Sequence, residues 1–246
     1  ENCGRCGIGV TLVPVIVPGV NTEQIGEILR FAVACSPYVR GVHFQPVSYF
    51  GRVPQFPRDE DRYTLDQLME AVACQSNGMI ALENLAPSCC DHPLCGFHGD
   101  FVVLPDGSLM PLTRREKAAG DSCCGSAGEP AGDGCCQSAE QSRNSCCGVD
   151  PAEKNREFVG RRWERRDLSK EGCCCSGPDM SDMEDFLARV RSHGFTVTAM
   201  AFQDAGNLDI ERLRQCSLHV YREGRWIPFC ACYLSPMGAA APGGEV

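Results

Sequence analysis

The sequence predicts an α/β protein, with parallel strands and helices in its N-terminal part and a smaller α+β region after them. Residues 8–20 (IGVTLVPVIVPGV) and 39–48 are rich in β-branched and apolar side chains, as in strands buried on both faces. Each run is followed by a helical pattern. This alternation is typical of a parallel sheet, either a barrel or an open sheet, which binds ligands at the carboxyl ends of its strands.

Caps and apolar spacing predict the helices of the N-terminal part. Asn21 stands where a helix N-cap is expected, and Gln24 stands where a capping-box partner belongs. Thr64 and Gln67 repeat the pattern before a second helix. Apolar residues then recur at i, i+3, i+4 and i+7, which indicates one buried helical face.

Two β-hairpins are predicted in the C-terminal part. The first turns at Pro105, Asp106 and Gly107, and the second at Glu223 and Gly224. Between them we expect a helix in DMSDMEDFLARVRSHG, a strand in FTVTAMAFQD and a short helix in NLDIERLRQ.

Cysteines flank both hairpins. Cys95 precedes the first hairpin, and Cys216 and Cys230 lie on either side of the second. A hairpin with thiols at both ends brings them together, which suits a metal or a cluster. Buried free thiols are the alternative, because cysteine is a common core residue. We expect Cys35 and Cys74 to be packed on helices.

Composition excludes several classes of protein. The net charge of −9 argues against a general nucleic-acid binder or a protein that binds anionic membranes. No apolar run approaches the roughly 20 residues that span a bilayer. The sequence opens at Glu1 without a signal peptide, and we expect a fragment or a trimmed chain of a cytoplasmic protein.

Nineteen cysteines are present, many of them in adjacent pairs. Neighbouring cysteines form strained disulfides, so reduced thiols or thiolate ligands are expected. Residues 119–178 hold three such pairs and a triplet, in a background rich in glycine and serine that offers no core. We expect a mobile, solvent-facing insert with Trp163 as its one anchor. Its thiols either bind a soft metal or metalloid or have no specific role.

Two separated blocks of sequence resemble the radical S-adenosylmethionine (SAM) superfamily. GVTLVPVIVPGVNTEQIGEILRFA followed by VRGVHFQPVSYFGR resembles the later strands of its partial barrel. DHPLCGFHGDFVVLPDGSLMPLTR and FTVTAMAFQDAGNLDIERLRQCSLHVYREGRWIPFCACYL resemble the C-terminal region of the branch that contains the tetraether synthases and the (seleno)protein TrsS. The blocks cover roughly residues 1–115 and 179–235.

The resemblance implies a [4Fe-4S] cluster that reduces bound SAM to a radical, which then abstracts hydrogen from carbon. The cluster loop of the family, Cys-x3-Cys-x2-Cys, does not occur in this sequence. We therefore expect the C-terminal portion of such an enzyme, acting on an unknown substrate. The resemblance also implies a reductant such as ferredoxin or flavodoxin, and a possible methyltransferase partner.

An auxiliary iron–sulfur cluster is the further implication of the resemblance, since related enzymes carry such clusters on cysteine thiolates in a C-terminal domain. The expected ligands are Cys89, Cys95, Cys216 and Cys230, with Cys90 and Cys232 as alternates. His92 and His98 are possible ligands, although structural hydrogen bonding explains them better. Asn21 and Gln45 are candidates for contact with SAM, against capping and core hydrogen bonding as alternatives.

Four segments follow from this interpretation. Residues 1–80 form the C-terminal part of a partial barrel, 81–118 the first auxiliary hairpin, 119–178 the insert, and 179–246 the C-terminal auxiliary segment. Two alternative functions remain open. One is a thiol-rich protein that binds metals or metalloids through the insert, and the other is a zinc-stabilised interaction module.

Overall fold

A computed structural model describes most of the chain outside the cysteine-rich insert, and the chain divides into two compact units. One unit comprises residues 1–8 and 116–172, and the other residues 9–115 and 173–246. In the first unit a short helix, α1, spans Asn2–Arg5 and carries exposed Cys3. The described residues are 2–51, 55–88, 91–113 and 183–234.

One mixed sheet organises the second unit. In the described residues it has seven strands, in the order β1-β3-β7-β5-β4, with β2 also paired to β3 and β6 also paired to β5. β1, β2, β3 and β7 run parallel to one another, and β5 is antiparallel to β7. The strands are β1 (Val10–Leu12), β2 (Val15–Ile16), β3 (Val39–Pro46), β4 (Ala86–Pro87), β5 (Gly96–Val103), β6 (Leu109–Pro111) and β7 (Gly194–Met200).

The α-helices described in this unit are 4 to 11 residues long. No helix in the described ranges combines the length and apolar character needed to cross a bilayer. A separate two-stranded sheet, β8 (His219–Arg222) with β9 (Arg225–Pro228), forms the second hairpin. The helices are α2 (Ile25–Ala34), α3 (Leu65–Gln75), α4 (Met183–His193), α5 (Ile210–Arg214) and α6 (Phe229–Cys232).

The two faces of the sheet differ in character. Apolar side chains from alternate positions of β3, β5 and β7 join α2 and α3 in one buried core that includes Phe44, Phe101 and Val197. The register places the intervening residues on the other face. These are half-buried and mostly polar, among them His43 and Thr198. The site described below lies on this polar face.

The predicted first strand is interrupted. Residues 8–20 form two short strands, β1 and β2, with Pro14 between them, because proline has no backbone N–H for the ladder. Both segments remain parallel to β3, and Gln45 N donates to the carbonyl oxygen of Pro14 at 3.0 Å. The predicted strand over 39–48 is confirmed as β3.

Only one of the two predicted capping boxes forms. Thr64 Oγ1 accepts from Gln67 N at 3.2 Å, and Gln67 Oε1 accepts from Thr64 N at 2.9 Å. The prediction for Asn21 and Gln24 is wrong, because neither side chain caps a helix. Instead, Asn21 accepts from Val17 N and donates to the carbonyl oxygen of Val15, each at 2.8 Å. Its side chain closes the turn that follows β2.

Replacing Thr64 with alanine is expected to lower the free energy of unfolding by about 1 kcal/mol, since an N–H at the start of α3 loses its acceptor. Urea denaturation checks this. Thr22→Ala is the matched control, because the Thr22 hydroxyl makes no hydrogen bond in the part of the chain described. Equal effects of the two substitutions would contradict the assigned cap.

Candidate functional site

The carboxyl ends of the parallel strands meet at one edge of the sheet, as predicted for a ligand site. Cys95 lies at this edge because β5 runs antiparallel and therefore begins where β7 ends. The backbone N–H of Ala201, just past β7, donates to the carbonyl oxygen of Cys95 at 2.9 Å. Cys95 is thus fixed next to the exit of a central parallel strand.

Cys230 reaches the same edge from α6. Its side chain is buried, and Gln203 N donates to its Sγ at 3.2 Å. Burial raises the pKa of Cys230, and the hydrogen bond from Gln203 opposes that change. Negative charge on Cys216 or Cys95 raises the pKa further, whereas Arg212 lowers it. Through Gln203 the Cys230 sulfur is held at the segment that follows β7.

Arg212 is held over this edge by α5. Its Nε donates to Cys95 Sγ at 3.4 Å, and its Nη2 donates to the carbonyl oxygen of Ala201 at 2.8 Å. The helix start is fixed by Asp209, whose side chain accepts from Glu211 N at 2.8 Å. The guanidinium therefore places a hydrogen-bond donor on the Cys95 sulfur, and the sequence alone did not indicate it.

Asp91 links the first cysteine segment to the second hairpin. Its Oδ1 accepts from Ser217 N, the neighbour of Cys216, at 2.7 Å. The thiol of Cys216 donates to the carbonyl oxygen of Leu218 at 3.1 Å. Asp91 directly follows Cys89 and Cys90, which lie outside the described residues. The contact therefore brings Asp91 close to Cys216.

The edge of the sheet at which Cys95 and Cys230 lie is called the cysteine edge below. It offers thiolate donors, which suit an iron–sulfur cluster or zinc. Among the described residues, no group of three or more Cys, His, Asp or Glu side chains is arranged to hold a metal ion. The structure joins Cys95 and Cys230 to the segment after β7, and it places Ser217, the neighbour of Cys216, against Asp91. Cys232 is half-buried and two helical positions from Cys230, so the two side chains point in different directions. The ligand assignment stays a prediction.

An aromatic cluster surrounds the end of α6. The rings of Phe202 and Phe229 lie 4.7 Å apart between centroids, and those of Phe229 and Tyr233 lie 4.8 Å apart. Phe50 contacts all three at 5.8 to 6.3 Å. Phe229 directly precedes Cys230 on α6, so the cluster lies next to this buried cysteine in the chain.

An ion pair fixes the loops that leave β3 and β7. Asp204 is 2% exposed and receives both Nη1 and Nη2 of Arg62, at 2.8 and 2.9 Å. Its carboxylate also accepts from Tyr49 N and Gly206 N, each at 2.9 Å. No local pattern indicates this pair, because the two residues are far apart in the chain.

The two residues predicted to contact SAM occupy different settings. Asn21 has both ends of its amide group bonded to backbone in the turn after β2. Gln45 lies half-buried at the carboxyl end of β3, on the polar face of the sheet, and its side chain makes no hydrogen bond within the described ranges. Contact of either residue with SAM remains a prediction.

A cavity of about 340 Å³ lies on the polar face beside Cys95. His43 on β3 approaches Thr198 on β7, with 2.8 Å between Nδ1 and Oγ1, and burial lowers the pKa of His43. His98 also lines the cavity. His92 instead accepts from Leu94 N at 3.2 Å, which is a structural role. The sequence interpretation missed His43. It could have been found as a polar residue that alternates with apolar residues along a strand.

The remaining cysteine predictions have mixed outcomes. The described cysteines are free thiols. Cys35, at the end of α2, packs against the core as expected. Cys74 is exposed on α3, so its predicted packing is wrong. Its position falls on the outer side of the helix, away from the stripe that Leu68 and Val72 bury. The insert over 119–178, with Trp163, lies outside the described residues.

Comparison with known proteins gives one informative similarity. No protein-family profile matches the chain. The chain is similar to 7,8-dihydro-6-hydroxymethylpterin dimethyltransferase of Methanocaldococcus jannaschii, at 28% identity over 260 residues. The alignment covers 94% of this chain and 49% of that relative, so the chain spans about half its length. The relative is a radical SAM methyltransferase, and the similarity supports the radical SAM superfamily without distinguishing the TrsS branch.

Proposed function

We propose that the chain is the C-terminal portion of a radical SAM enzyme and that its cysteine edge carries an auxiliary iron–sulfur cluster. The observation that carries the proposal is that Cys95, through its carbonyl oxygen, and Cys230, through its sulfur, are both hydrogen-bonded to the segment that follows the parallel strand β7. These residues come from two hairpins that are more than 100 positions apart in the sequence. Thiols that were merely tolerated have no reason to converge at the edge where such sheets bind ligands.

Two roles follow for the residues of this edge. Cys95, Cys216 and Cys230 would supply thiolates to the cluster, and Cys89 or Cys90 would supply the fourth. Arg212 and the backbone N–H of Gln203 donate to two of these sulfurs. Hydrogen bonds to ligand sulfurs stabilise negative charge and raise the reduction potential of a cluster. When bound, the cluster would supply an electron-transfer centre close to the substrate.

We propose methyl transfer as the class of reaction. The name of the archaeal relative describes a dimethyltransferase, and the aligned region includes almost all of this chain. The radical chemistry itself needs the Cys-x3-Cys-x2-Cys loop, which this sequence does not contain. The described residues would therefore position the substrate and hold the auxiliary cluster for a radical generated by other residues of the enzyme.

Iron and acid-labile sulfide, measured per chain after anaerobic reconstitution, test the proposal. We expect about four irons per chain in the wild type, as for one [4Fe-4S] cluster. The double variant Cys95→Ser plus Cys230→Ser is expected to lose them. A chain without residues 119–178 and the control Cys74→Ser, an exposed helical thiol, are expected to keep them.

Two outcomes would reject the auxiliary cluster. Protein without iron that binds zinc or arsenic through residues 119–178 would identify a thiol-rich metal or metalloid binder. Colourless protein with one zinc at the hairpin cysteines would identify a zinc-stabilised interaction module. Ultraviolet–visible spectra separate these cases, because thiolate-bound iron absorbs visible light and thiolate-bound zinc does not.

A further inference from the structure

Gln203 is a buried polar side chain in the segment that follows β7. It is 1% exposed, and burying an amide costs free energy unless the amide is hydrogen-bonded. Its Oε1 accepts from the backbone N–H of Asp209, the N-cap residue of α5. Its own backbone N–H donates to Cys230 Sγ. One residue therefore joins both the start of α5 and a cysteine sulfur to the segment after β7.

Helix α5 depends on such polar contacts for its position. It has five residues, none of which is buried, and helices of this length are not stable by themselves. In the described part of the chain, none of its residues packs against the core. The Asp209 carboxylate caps the helix by accepting from Glu211 N, which is a contact within the helix itself. The bond from Asp209 N to Gln203 instead ties the helix to the rest of the fold.

Arg212 is the residue of α5 that reaches the cysteine edge. Its Nε donates to Cys95 Sγ at 3.4 Å, and its Nη2 donates to the carbonyl oxygen of Ala201 at 2.8 Å. The donors of a guanidinium have a fixed planar geometry, so both bonds require one position of α5 relative to Ala201. Gln203, two residues after Ala201, fixes that position. Hydrogen bonds weaken steeply when their geometry is lost, so a displaced α5 would take the donor off the Cys95 sulfur.

We infer that Gln203 is a positioning residue of the cysteine edge, whose side chain places the Arg212 guanidinium on the Cys95 sulfur through Asp209 and α5. The inference rests on the proposed function where it concerns the cluster. Hydrogen bonds to ligand sulfurs raise the reduction potential of a bound cluster. Gln203 would therefore raise that potential indirectly, by holding Arg212. The placement of Arg212 itself requires no cluster.

Hydrogen exchange of the Arg212 Nε–H, measured by nuclear magnetic resonance on the full chain without iron, tests this placement. The signal of Arg212 is the one that disappears in Arg212→Leu. Gln203→Met removes the accepting oxygen and keeps an unbranched side chain of similar length. We expect the Arg212 Nε–H to exchange about 3- to 10-fold faster in this variant, the effect of losing one hydrogen bond.

Gln215→Met is the matched control for the exchange measurement. Gln215 is exposed just past the end of α5, and its side chain makes no hydrogen bond within the described residues. The same substitution at this position should leave the exchange of the Arg212 Nε–H unchanged. Gln203→Asn is the second variant, because its shorter side chain withdraws the oxygen from Asp209 N. It gives the result if circular dichroism shows that Gln203→Met is unfolded.

The reduction potential of the reconstituted cluster tests the indirect effect. Gln203→Met and Arg212→Leu are each expected to lower the potential. Because Gln203 acts through Arg212, the double variant should have the potential of Arg212→Leu alone. Effects of the two substitutions that add would overturn the inference, since Gln203 would then act independently of Arg212.

Two further outcomes decide the inference. It is overturned if the Arg212 Nε–H exchanges at the wild-type rate in a folded Gln203 variant. A variant that loses stability but keeps both the exchange rate and the potential would show a purely structural role for Gln203, which also overturns it. Wild-type protein that binds no iron would reject the auxiliary cluster alone, because the exchange measurement uses protein without iron.

Discussion

Replacing Asp204 with alanine is expected to lower the free energy of unfolding by about 3 kcal/mol. The carboxylate is 2% exposed and holds the guanidinium of Arg62 through two hydrogen bonds. Removing one partner of a buried ion pair leaves the other charge without compensation, which costs roughly 3–5 kcal/mol. The lower end of this range applies because the Arg62 side chain is 16% exposed. Water can therefore hydrate part of its charge when the Asp204 carboxylate is removed.

Urea denaturation at pH 7 measures this loss. The control is Glu211→Ala, which removes an exposed ion pair with Arg214 at 3.1 Å. Exposed pairs contribute about 0–1 kcal/mol, so the control should change stability little. Equal losses in the two variants would show that the buried pair has no special role in holding the loops that leave β3 and β7.

The same residue predicts a dependence on pH. Burial alone would raise the pKa of Asp204, but hydrogen bonds from Arg62, Tyr49 and Gly206 outweigh it and lower the pKa below the ordinary value of 3.8. A lowered pKa stabilises the fold above the unfolded-state value, and this stability is lost as the pH falls through the folded-state value. The stability difference between wild type and Asp204→Ala should therefore shrink below about pH 4. A difference that stays constant to pH 2 would contradict this assignment.

Local signals in the sequence predicted the hairpins and one of the two caps. Glu223 and Gly224 have φ angles of 50° and 78°, as a tight two-residue turn requires, and glycine adopts such angles without strain. The Thr64 box forms because helix α3 begins directly after it. Asn21 has the same local signal, but the proline-rich segment before it offers unpaired backbone groups at Val15 and Val17, which its side chain satisfies.

The pairing of strands that are distant in the chain could not be predicted from the sequence. The strand in FTVTAMAFQD was predicted, but periodicity could not show that β7 inserts between β3 and β5. The polar row of His43, Thr198 and His98 exists only because of that insertion. The spacing of cysteines beside hairpin ends suggested that they converge, which stays a prediction, and the bonds that fix Cys95 and Cys230 at the segment after β7 are visible only in the structure. The role of Arg212 could not be predicted from the sequence. An arginine on a short helix is usually a solvent-exposed charge, and only its neighbours in the structure show otherwise.

Replacing Gly26 with alanine is expected to lower the free energy of unfolding by about 1–3 kcal/mol, the usual effect of overpacking. Gly26 lies in α2, where helix propensity alone predicts that alanine stabilises by about 0.5–1 kcal/mol. The sign should reverse because a Cβ on Gly26 would overlap the carbonyl oxygen of Gln75 and lie 2.8 Å from its carbonyl carbon. Backbone atoms at the end of α3 cannot move aside as a flexible side chain does.

The contact between α2 and α3 is further constrained by Gln75. Its Oε1 accepts from Gly26 N at 3.1 Å, and its Nε2 donates to the carbonyl oxygen of Thr22 at 2.8 Å. These bonds hold the helices at the separation that only glycine permits. Glu27→Ala, an exposed neighbour in the same helix, is the control and should be neutral within about 0.5 kcal/mol. Stabilisation by Gly26→Ala in thermal and urea denaturation would show that the two helices can separate without cost.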